Sequence, residues 1–248
     1  MRDFMRNTAA ILWREFAAYF GSPVAYVFIV IFLLLAGFCT FSFSRFYEMG
    51  QADLRAFFDW HPWIFLFLVP AVAMRLWAEE RRTGTIELMM TLPVTLTQAI
   101  LGKFLAAWAF LGVALVLTFP MPLTVAYLGD PDMGTVYCGY FGSFLIAGAY
   151  LSVGSMTSAM TRNQVISFIL SVVICLFLVL AGWPPVTDVL SGWAPVWLVD
   201  VVSGFSFMSH FSAMERGVVD LRDLFYYASV IFFMLFANGV ILQNRKAA

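Results

Sequence analysis

Long apolar stretches recur along the chain, and the short segments between them hold most of the charged residues. A helix that crosses a lipid bilayer needs about 20 mainly apolar residues. The pattern therefore predicts an all-α, polytopic membrane protein, a single transmembrane domain over residues 1–248 with six transmembrane helices. We place these helices at residues 23–44, 61–78, 96–119, 135–160, 164–183 and 222–243.

The segment at residues 184–220 is less regular than the predicted spans. It is moderately apolar and contains Trp193 and Trp197, but Asp200 lies near its middle. A charged residue at the centre of a bilayer costs about 2.5–3.5 kcal/mol on insertion scales. We therefore predict short re-entrant or interfacial helices on the outer side instead of a seventh span.

Residues 1–21 show an amphipathic pattern with the period of a helix, which predicts an interfacial elbow helix on the cytoplasmic surface. Its polar side holds Asp3, Arg6, Asn7 and Arg14. Glu15 interrupts the apolar side. Two interpretations stay open, an anchor that only fixes the first span or a contact with a cytosolic partner. The candidate residues for such a contact are Trp13, Arg14, Glu15 and Phe16.

Composition limits what the chain can do alone. The chain is 62% hydrophobic and 12% charged over 248 residues, which makes lipid its expected solvent. Six spans and their connections leave no room for a large soluble domain. Any catalytic domain is therefore expected on a separate polypeptide.

The basic residues predict the orientation in the membrane, because Lys and Arg are enriched in cytoplasmic connections. With both termini in the cytoplasm, ten of the 14 basic residues fall on that side. A seventh span would move Arg245 and Lys246 to the outside. The six-span arrangement with both termini cytoplasmic is therefore favoured.

The cytoplasmic connection after the second span contains several helix-ending and helix-starting signals. Arg81 and Arg82 suit the negative end of a helix dipole, and Gly84 suits the left-handed conformation that ends a helix. Thr85 and Glu87 then suit the start of a short helix over about 86–92, which Pro93 ends.

Further along, Thr95 and Gln98 fit a capping box at the start of the third span. The short helix before it would display Ile86, Met89, Met90 and Leu92 to the cytosol. An amphipathic helix of this kind can dock into a groove of a partner. The alternative is a plain tight loop, which does not need so many apolar residues.

The run from Glu79 to Glu87, with Leu92-Pro93-Val94 and Gly102-Lys103-Phe104, resembles the signature of type-2 ATP-binding-cassette (ABC) exporter permeases. The chain looks closest to the gliding-motility-type bacterial permeases. The resemblance implies a multi-pass protein of the bacterial inner membrane that pairs with a second permease copy or paralogue. It also implies two cytosolic ABC ATPase subunits that bind ATP and Mg.

By this resemblance, the cytoplasmic connection carries the residues that couple the permease to its ATPase. These residues are Glu79, Glu80, Arg81, Arg82, Thr83, Gly84, Thr85, Glu87, Leu92 and Pro93. None of them is expected to be catalytic.

Motifs for catalysis and metal binding are missing from the sequence. No Gly-x-x-x-x-Gly-Lys-[Ser/Thr] phosphate loop occurs, so this chain is expected to bind no cofactor and to be no enzyme. His61 and His210 stand apart from each other and from carboxylates, so we expect interfacial residues and no metal site. No nucleic acid partner is expected.

Three functions from different classes remain open. The first is an ABC exporter permease with an unknown substrate site. The second is a membrane enzyme acting on lipid, although no polar active-site cluster is visible. The third is a membrane scaffold of an ATP-driven mechanotransmission complex that acts on an extracytoplasmic partner. The middles of the predicted spans lack charged residues, which disfavours ion-coupled transport.

Overall fold

The computed structural model describes residues 2–44, 46–49, 53–85 and 94–244, and every regular element in these ranges is a helix. The first half contains α1 Arg2–Phe20, α2 Pro23–Phe38 with a π-helical continuation at Cys39–Phe43, α3 Phe46–Met49, α4 Arg55–Phe58, α5 His61–Ala73, α6 Arg75–Thr83 and α7 Leu96–Val116. The second half contains α8 Pro120–Leu128, α9 Met133–Met160, α10 Gln164–Leu180, α11 Pro184–Ser191, α12 Val196–Gly204, α13 Phe207–Glu215 and α14 Leu221–Asn244.

Within the described parts of the chain, five helical stretches are long and apolar enough to cross a membrane. They are Pro23–Glu48, Arg55–Thr83, Leu96–Leu128, Met133–Met160 and Leu221–Asn244. The pair α10 and α11, bent by 67°, makes a sixth if it is counted as one span. The predicted fold class, an all-α polytopic membrane protein, is confirmed.

The helix α9 lies at the centre of the bundle, where it packs against α5, α6, α7, α10, α13 and α14. Its buried surface consists largely of glycine, alanine and serine. Small residues allow neighbouring helices to approach closely. At Gly154, for example, an added Cβ would lie 2.3 Å from Cβ of Ala73 in α5. The composition of α9 therefore determines how tightly the bundle closes around it.

The outer faces of α2, α10 and α14 carry large apolar side chains. Leu34, Phe177 and Phe233 are each more than 60% exposed in the isolated chain. In a bilayer such surfaces contact lipid tails, so their exposure carries no free-energy penalty.

The segment at 184–220 contains α11, α12 and α13, and these three helices differ in burial. No residue of α11 or α12 is buried, whereas α13 packs into the bundle through Phe207, Phe211 and Met214. Tyr227 of the last span donates a 2.9 Å hydrogen bond to the Phe207 carbonyl. The segment is therefore attached to the bundle mainly through α13.

The prediction that both histidines stand apart from carboxylates is wrong for His210, and their interfacial position stays a prediction. His61 is fully buried, its Nδ1 lies 2.7 Å from Oγ of Ser143, and phenylalanine rings surround it. The Nδ1 of His210 lies 2.6 Å from Oδ1 of Asp223. His210 and Asp223 are 13 positions apart with a turn between them, so linear spacing did not reveal the pair.

Candidate coupling site

The charged segment forms α6, the last part of the helical stretch Arg55–Thr83. α5 ends at Ala73 and α6 begins at Arg75, so the regular helix is interrupted at Met74, although Met74 keeps right-handed helical backbone angles. The Met74 amide still donates to the Pro70 carbonyl at 2.9 Å. We call this local interruption the Met74 break, and α6 is the part of the second span that follows it.

A buried lysine connects α6 to two other helices. Lys103 in α7 is 3% exposed. Its Nζ lies 2.6 Å from Oε1 of Glu80 in α6 and 3.2 Å from Oε2 of Glu15 in α1. The same Nζ lies 5.6 Å from the centre of the Trp77 ring. A buried charge must be paired, so these three helices are held together by one cation. We call Glu15, Glu80 and Lys103 the charged triad.

The triad explains why Glu15 interrupts the apolar side of the elbow helix. Its carboxylate faces Lys103 on the buried side of α1 and also accepts a 2.7 Å hydrogen bond from Nη2 of Arg14. Burial raises the pKa of the Glu15 carboxyl, but Lys103 and Arg14 lower it by more, so the pKa lies below its usual range. Glu15 is therefore ionised at neutral pH and interacts with Lys103 as a carboxylate.

A glycine next to Lys103 allows α1 to lie directly on α7. A Cβ added at Gly102 would lie 2.7 Å from Cγ2 of Ile11 and 3.2 Å from the Thr8 carbonyl oxygen. Contacts of this length are too short for a real side chain, so only glycine fits without movement of α1. The close approach brings Glu15 within reach of Lys103.

The cytoplasmic end of α9 holds α6 from the other side. The indole Nε1 of Trp77 donates to Oγ of Ser155 at 3.2 Å, and Nη1 of Arg81 donates to the Ala159 carbonyl. Between these contacts, Oγ of Ser158 accepts from the amides of Trp77 and Ala78. The helix α6 thus lies between the charged triad and the end of α9.

The far end of α6 has the conformation that the sequence predicts. Gly84 has a φ of 75° and ends the helix in the left-handed region, which confirms that prediction. Thr83 Oγ1 donates to the Glu79 carbonyl and lies 3.0 Å from Oγ1 of Thr85. The capping box of Thr95 and Gln98 is also confirmed, with both reciprocal hydrogen bonds present.

Only some of the other predicted coupling residues lie close to one another. Glu79 lies 3.2 Å from Nε of Arg75 and 4.0 Å from Nη2 of Arg82, on the exposed side of α6. Trp13 is 68% exposed, and Phe16 packs against the core beside it. Glu87, Leu92, Pro93 and the predicted helix at 86–92 lie outside the described residues.

Sequence reasoning missed the buried polar residues of α9 and α14 that lie behind α6. The amide nitrogen of Asn238 in α14 donates to Oγ of Ser155 at 2.7 Å, although Asn238 lies in an otherwise apolar span. Asn238 and Ser155 are both buried. An isolated amide in an apolar span is a signal that could have found this contact, whereas serines in α9 are too frequent to single out Ser155 or Ser158.

A second charged cluster lies at the opposite end of the bundle. The carboxylate of Glu215 at the end of α13 lies 3.6 Å from Nε of Arg55. Burial and the neighbouring Asp59 raise the pKa of Glu215 to about 9, and Arg55 offsets this only in part. Asp53, Arg55 and Asp132 line a cleft with Glu215. Among the described residues, no group of three histidine, cysteine or acidic side chains could hold a metal ion.

A bundle of apolar spanning helices, with an amphipathic helix and a charged segment joined at one end, defines a polytopic membrane protein. The family model of ABC-2 family transporter proteins matches residues 9–215. The chain belongs to this family, and it is a permease subunit of an ABC transporter. No curated protein matches the chain. Its closeness to gliding-motility-type permeases stays a prediction.

Proposed function

We propose that this chain is the membrane-spanning permease subunit of an ABC exporter, which forms the translocation path and couples it to a separate cytosolic ATPase. The observation that carries the proposal is the charged triad. It joins the elbow helix, the third span and α6 through one buried cation, Lys103. A force applied to α1 or α6 would therefore reach the membrane spans directly.

The placement of α6 supports this role. One side of α6 contacts α7 through Glu80, and the other side contacts the end of α9 through Trp77 and Arg81. The exposed side carries Glu79 and Arg82, which are available to a cytosolic partner. A partner that binds there would move a helix already attached to two spans.

The finer parts of the proposal follow from the resemblance described above. The complex contains two ATPase subunits, which bind ATP and Mg, and a second permease copy or paralogue. Both termini face the cytoplasm of a bacterial cell, and the inner membrane is the site of action. A role in mechanical work on an extracytoplasmic partner is the alternative, and α11 and α12, which have no buried residue, would offer the contact surface.

The experiment compares two changes in α6 with matched changes elsewhere. Glu80→Lys places a second cation beside Lys103, and Gly84→Val forces a branched side chain into a left-handed backbone. Asp130→Lys makes a similar charge change in an exposed outer turn, and Gly204→Val adds the same side chain where nothing lies within 4 Å.

The tagged chain is purified from native membranes, and three quantities are compared: its abundance, the amount of ATPase that co-purifies, and Mg-ATP hydrolysis. We expect all four variants to insert into the membrane, and the other two quantities are compared per amount of chain. The two α6 variants should lose the ATPase or its normal rate of hydrolysis, while the two control variants should match the wild type. If no ATPase co-purifies with the wild type, or if the α6 variants behave as the controls do, the proposal is wrong.

A further inference from the structure

The break between α5 and α6 is bridged by a single hydroxyl group from another helix. Oγ of Ser158 in α9 accepts hydrogen bonds from the amides of Trp77 and Ala78, both at 3.0 Å. The same oxygen donates to the carbonyl of Met74 at 2.9 Å. Ser158 therefore binds the residue at the break and the first turn of α6 simultaneously.

Ser158 is the middle of three consecutive contacts along one face of α9. Ser155 lies one turn earlier and binds Trp77 and Asn238, while Ala159 lies next to Ser158 and binds Arg81. Positions separated by three and four residues share one face of a helix. Through this face, α9 contacts both α6 and the last span.

The polar groups at the break are shielded from solvent. Ser158 and Trp77 are both fully buried. A buried backbone amide that loses its acceptor is costly, so the Ser158 hydroxyl stabilises one position of α6 relative to α9. Without it, α6 would keep only its side-chain contacts with α9, from Trp77 to Ser155 and from Arg81 to Ala159, and would lose the one that holds its backbone at Met74.

We infer that Ser158 is a positioning residue for coupling: its hydroxyl fixes α6 to α9 at the Met74 break, so that movement of α6 is passed to the fourth and last spans. This inference rests on the proposed function. It assigns the transmission of movement to one hydroxyl group inside the bundle, separate from the charged triad.

The test uses Ser158→Ala and a matched control, Ser152→Ala. Ser152 is in the same helix and is equally buried, but its hydroxyl donates to the Ala149 carbonyl of its own helix. Both changes remove one buried hydroxyl from α9. Only Ser158→Ala removes a contact with α6.

The first measurement is amide hydrogen exchange of the full chain in lipid nanodiscs. In Ser158→Ala, exchange at Trp77 and Ala78 should become faster by roughly tenfold, because each amide loses a buried acceptor. In Ser152→Ala, exchange at these amides should match the wild type. Equal exchange in the two variants would overturn the inference.

The second measurement uses the complex purified from native membranes. Spin labels are attached at Asp130→Cys and Arg216→Cys on the outer side, and Cys138 is replaced by serine in every variant. In the wild type, trapping with Mg-ATP and vanadate should change the distance between the labels. Ser158→Ala should retain the co-purifying ATPase but lose this change, whereas Ser152→Ala should retain both.

The outcomes separate the two proposals. If the wild-type complex carries no ATPase or its labels do not respond to Mg-ATP and vanadate, the proposed function fails. If the wild type responds and Ser158→Ala responds equally, the proposed function stands and the role of Ser158 is wrong.

Discussion

Lys103 shows how one residue can determine the arrangement of several helices. Its ammonium group lies in the apolar stretch of the third span, where an unpaired charge would be very unfavourable. Glu15 and Glu80 both contact it, and they come from different helices. The charge is tolerable only when α1, α6 and α7 meet at this point, so the ion pairs specify the packing as well as stabilise it.

Removal of this cation should therefore destabilise the cytoplasmic end. In Lys103→Met, Glu15 and Glu80 would face each other without a cation between them. We expect a loss on the order of 3 kcal/mol, since breaking a buried ion pair leaves an uncompensated charge. Thermal unfolding in nanodiscs measures the effect as a lower melting temperature.

The control for this prediction is Arg6→Met. Arg6 pairs with Asp3 at 3.1 Å, but both side chains are more than 75% exposed. Exposed ion pairs contribute little to stability. A melting temperature of Lys103→Met equal to that of Arg6→Met would show that the triad is not a structural link.

The sequence indicated part of this site at the scale of single residues. The left-handed Gly84 and the Thr95 cap follow from local backbone chemistry, so their neighbours in sequence were enough to predict them. The partners of Lys103 and Ser158 lie more than 20 residues away in the chain, and no local pattern specifies them. Only the packing of the helices reveals which groups meet.

At the scale of elements, the contact between α1 and α7 depends on Gly102. In Gly102→Val, the new side chain would overlap Ile11 and push α1 away from α7. We expect Thr8, which is buried in the wild type, to become accessible. The measurement is the labelling rate of a Thr8→Cys reporter with a polar maleimide, which should rise in the Gly102→Val background.

Gly37→Val is the matched control, because it places the same side chain in a helix where the nearest atom lies 4.0 Å from the added Cβ. The reporter should label slowly in this background. Slow labelling in both backgrounds would mean that α1 does not need glycine at position 102 to reach α7.

The stability of α13 in its position at the outer end should depend on pH. The pKa of Glu215 is raised from 4.5 to about 9, by burial first and by Asp59 next. A carboxyl group with a raised pKa stabilises the fold fully below pH 4.5, and this contribution is lost as the pH rises through about 9. Hydrogen exchange of residues 207–215, corrected for intrinsic rates, should therefore be faster at pH 9 than at pH 6.

Glu215→Gln separates this effect from other titrating groups. The amide stays neutral at every pH and has nearly the shape of the protonated carboxyl. The pair of His210 in α13 and Asp223 at the start of α14 is unchanged in this variant. A pH dependence as steep in Glu215→Gln as in the wild type would assign the effect to groups other than Glu215.

Whole-molecule organisation follows from which charged groups meet at each end. Arg81 contacts Ala159, so α6 and the turn that contains Arg162 lie at the same end as the charged triad. Asp132 at the start of α9 lines a cleft with Glu215 at the opposite end. The chain must therefore cross the bundle between Arg162 and Glu215, which favours counting α10 and α11 as one crossing.

The sequence predicted the class of fold because long apolar helices are visible in one dimension. It did not predict the bend of 67° between α10 and α11 or the burial of α13. These features depend on the close contact between α13 and Gly182. A Cβ added at Gly182 would lie only 2.3 Å from Oγ of Ser209, so a larger residue there would keep α13 away. Contacts between segments far apart in sequence determine them.

The last prediction concerns topology, because the basic residues and the geometry of the two ends lead to the same arrangement. Single cysteines at Arg82 and Arg162 should react with a membrane-impermeant maleimide only after the cytoplasmic side is opened, whereas a cysteine at Asp130 should react in intact cells. A cysteine at Lys246 tests the number of crossings, since six crossings place it on the cytoplasmic side and five place it outside. A cysteine-free version of the chain that reaches normal abundance in the membrane serves as the background for these single cysteines. Labelling of Lys246→Cys in intact cells would overturn the six-span arrangement, and labelling of Arg82→Cys in intact cells would place α6 on the wrong side for any cytosolic ATPase.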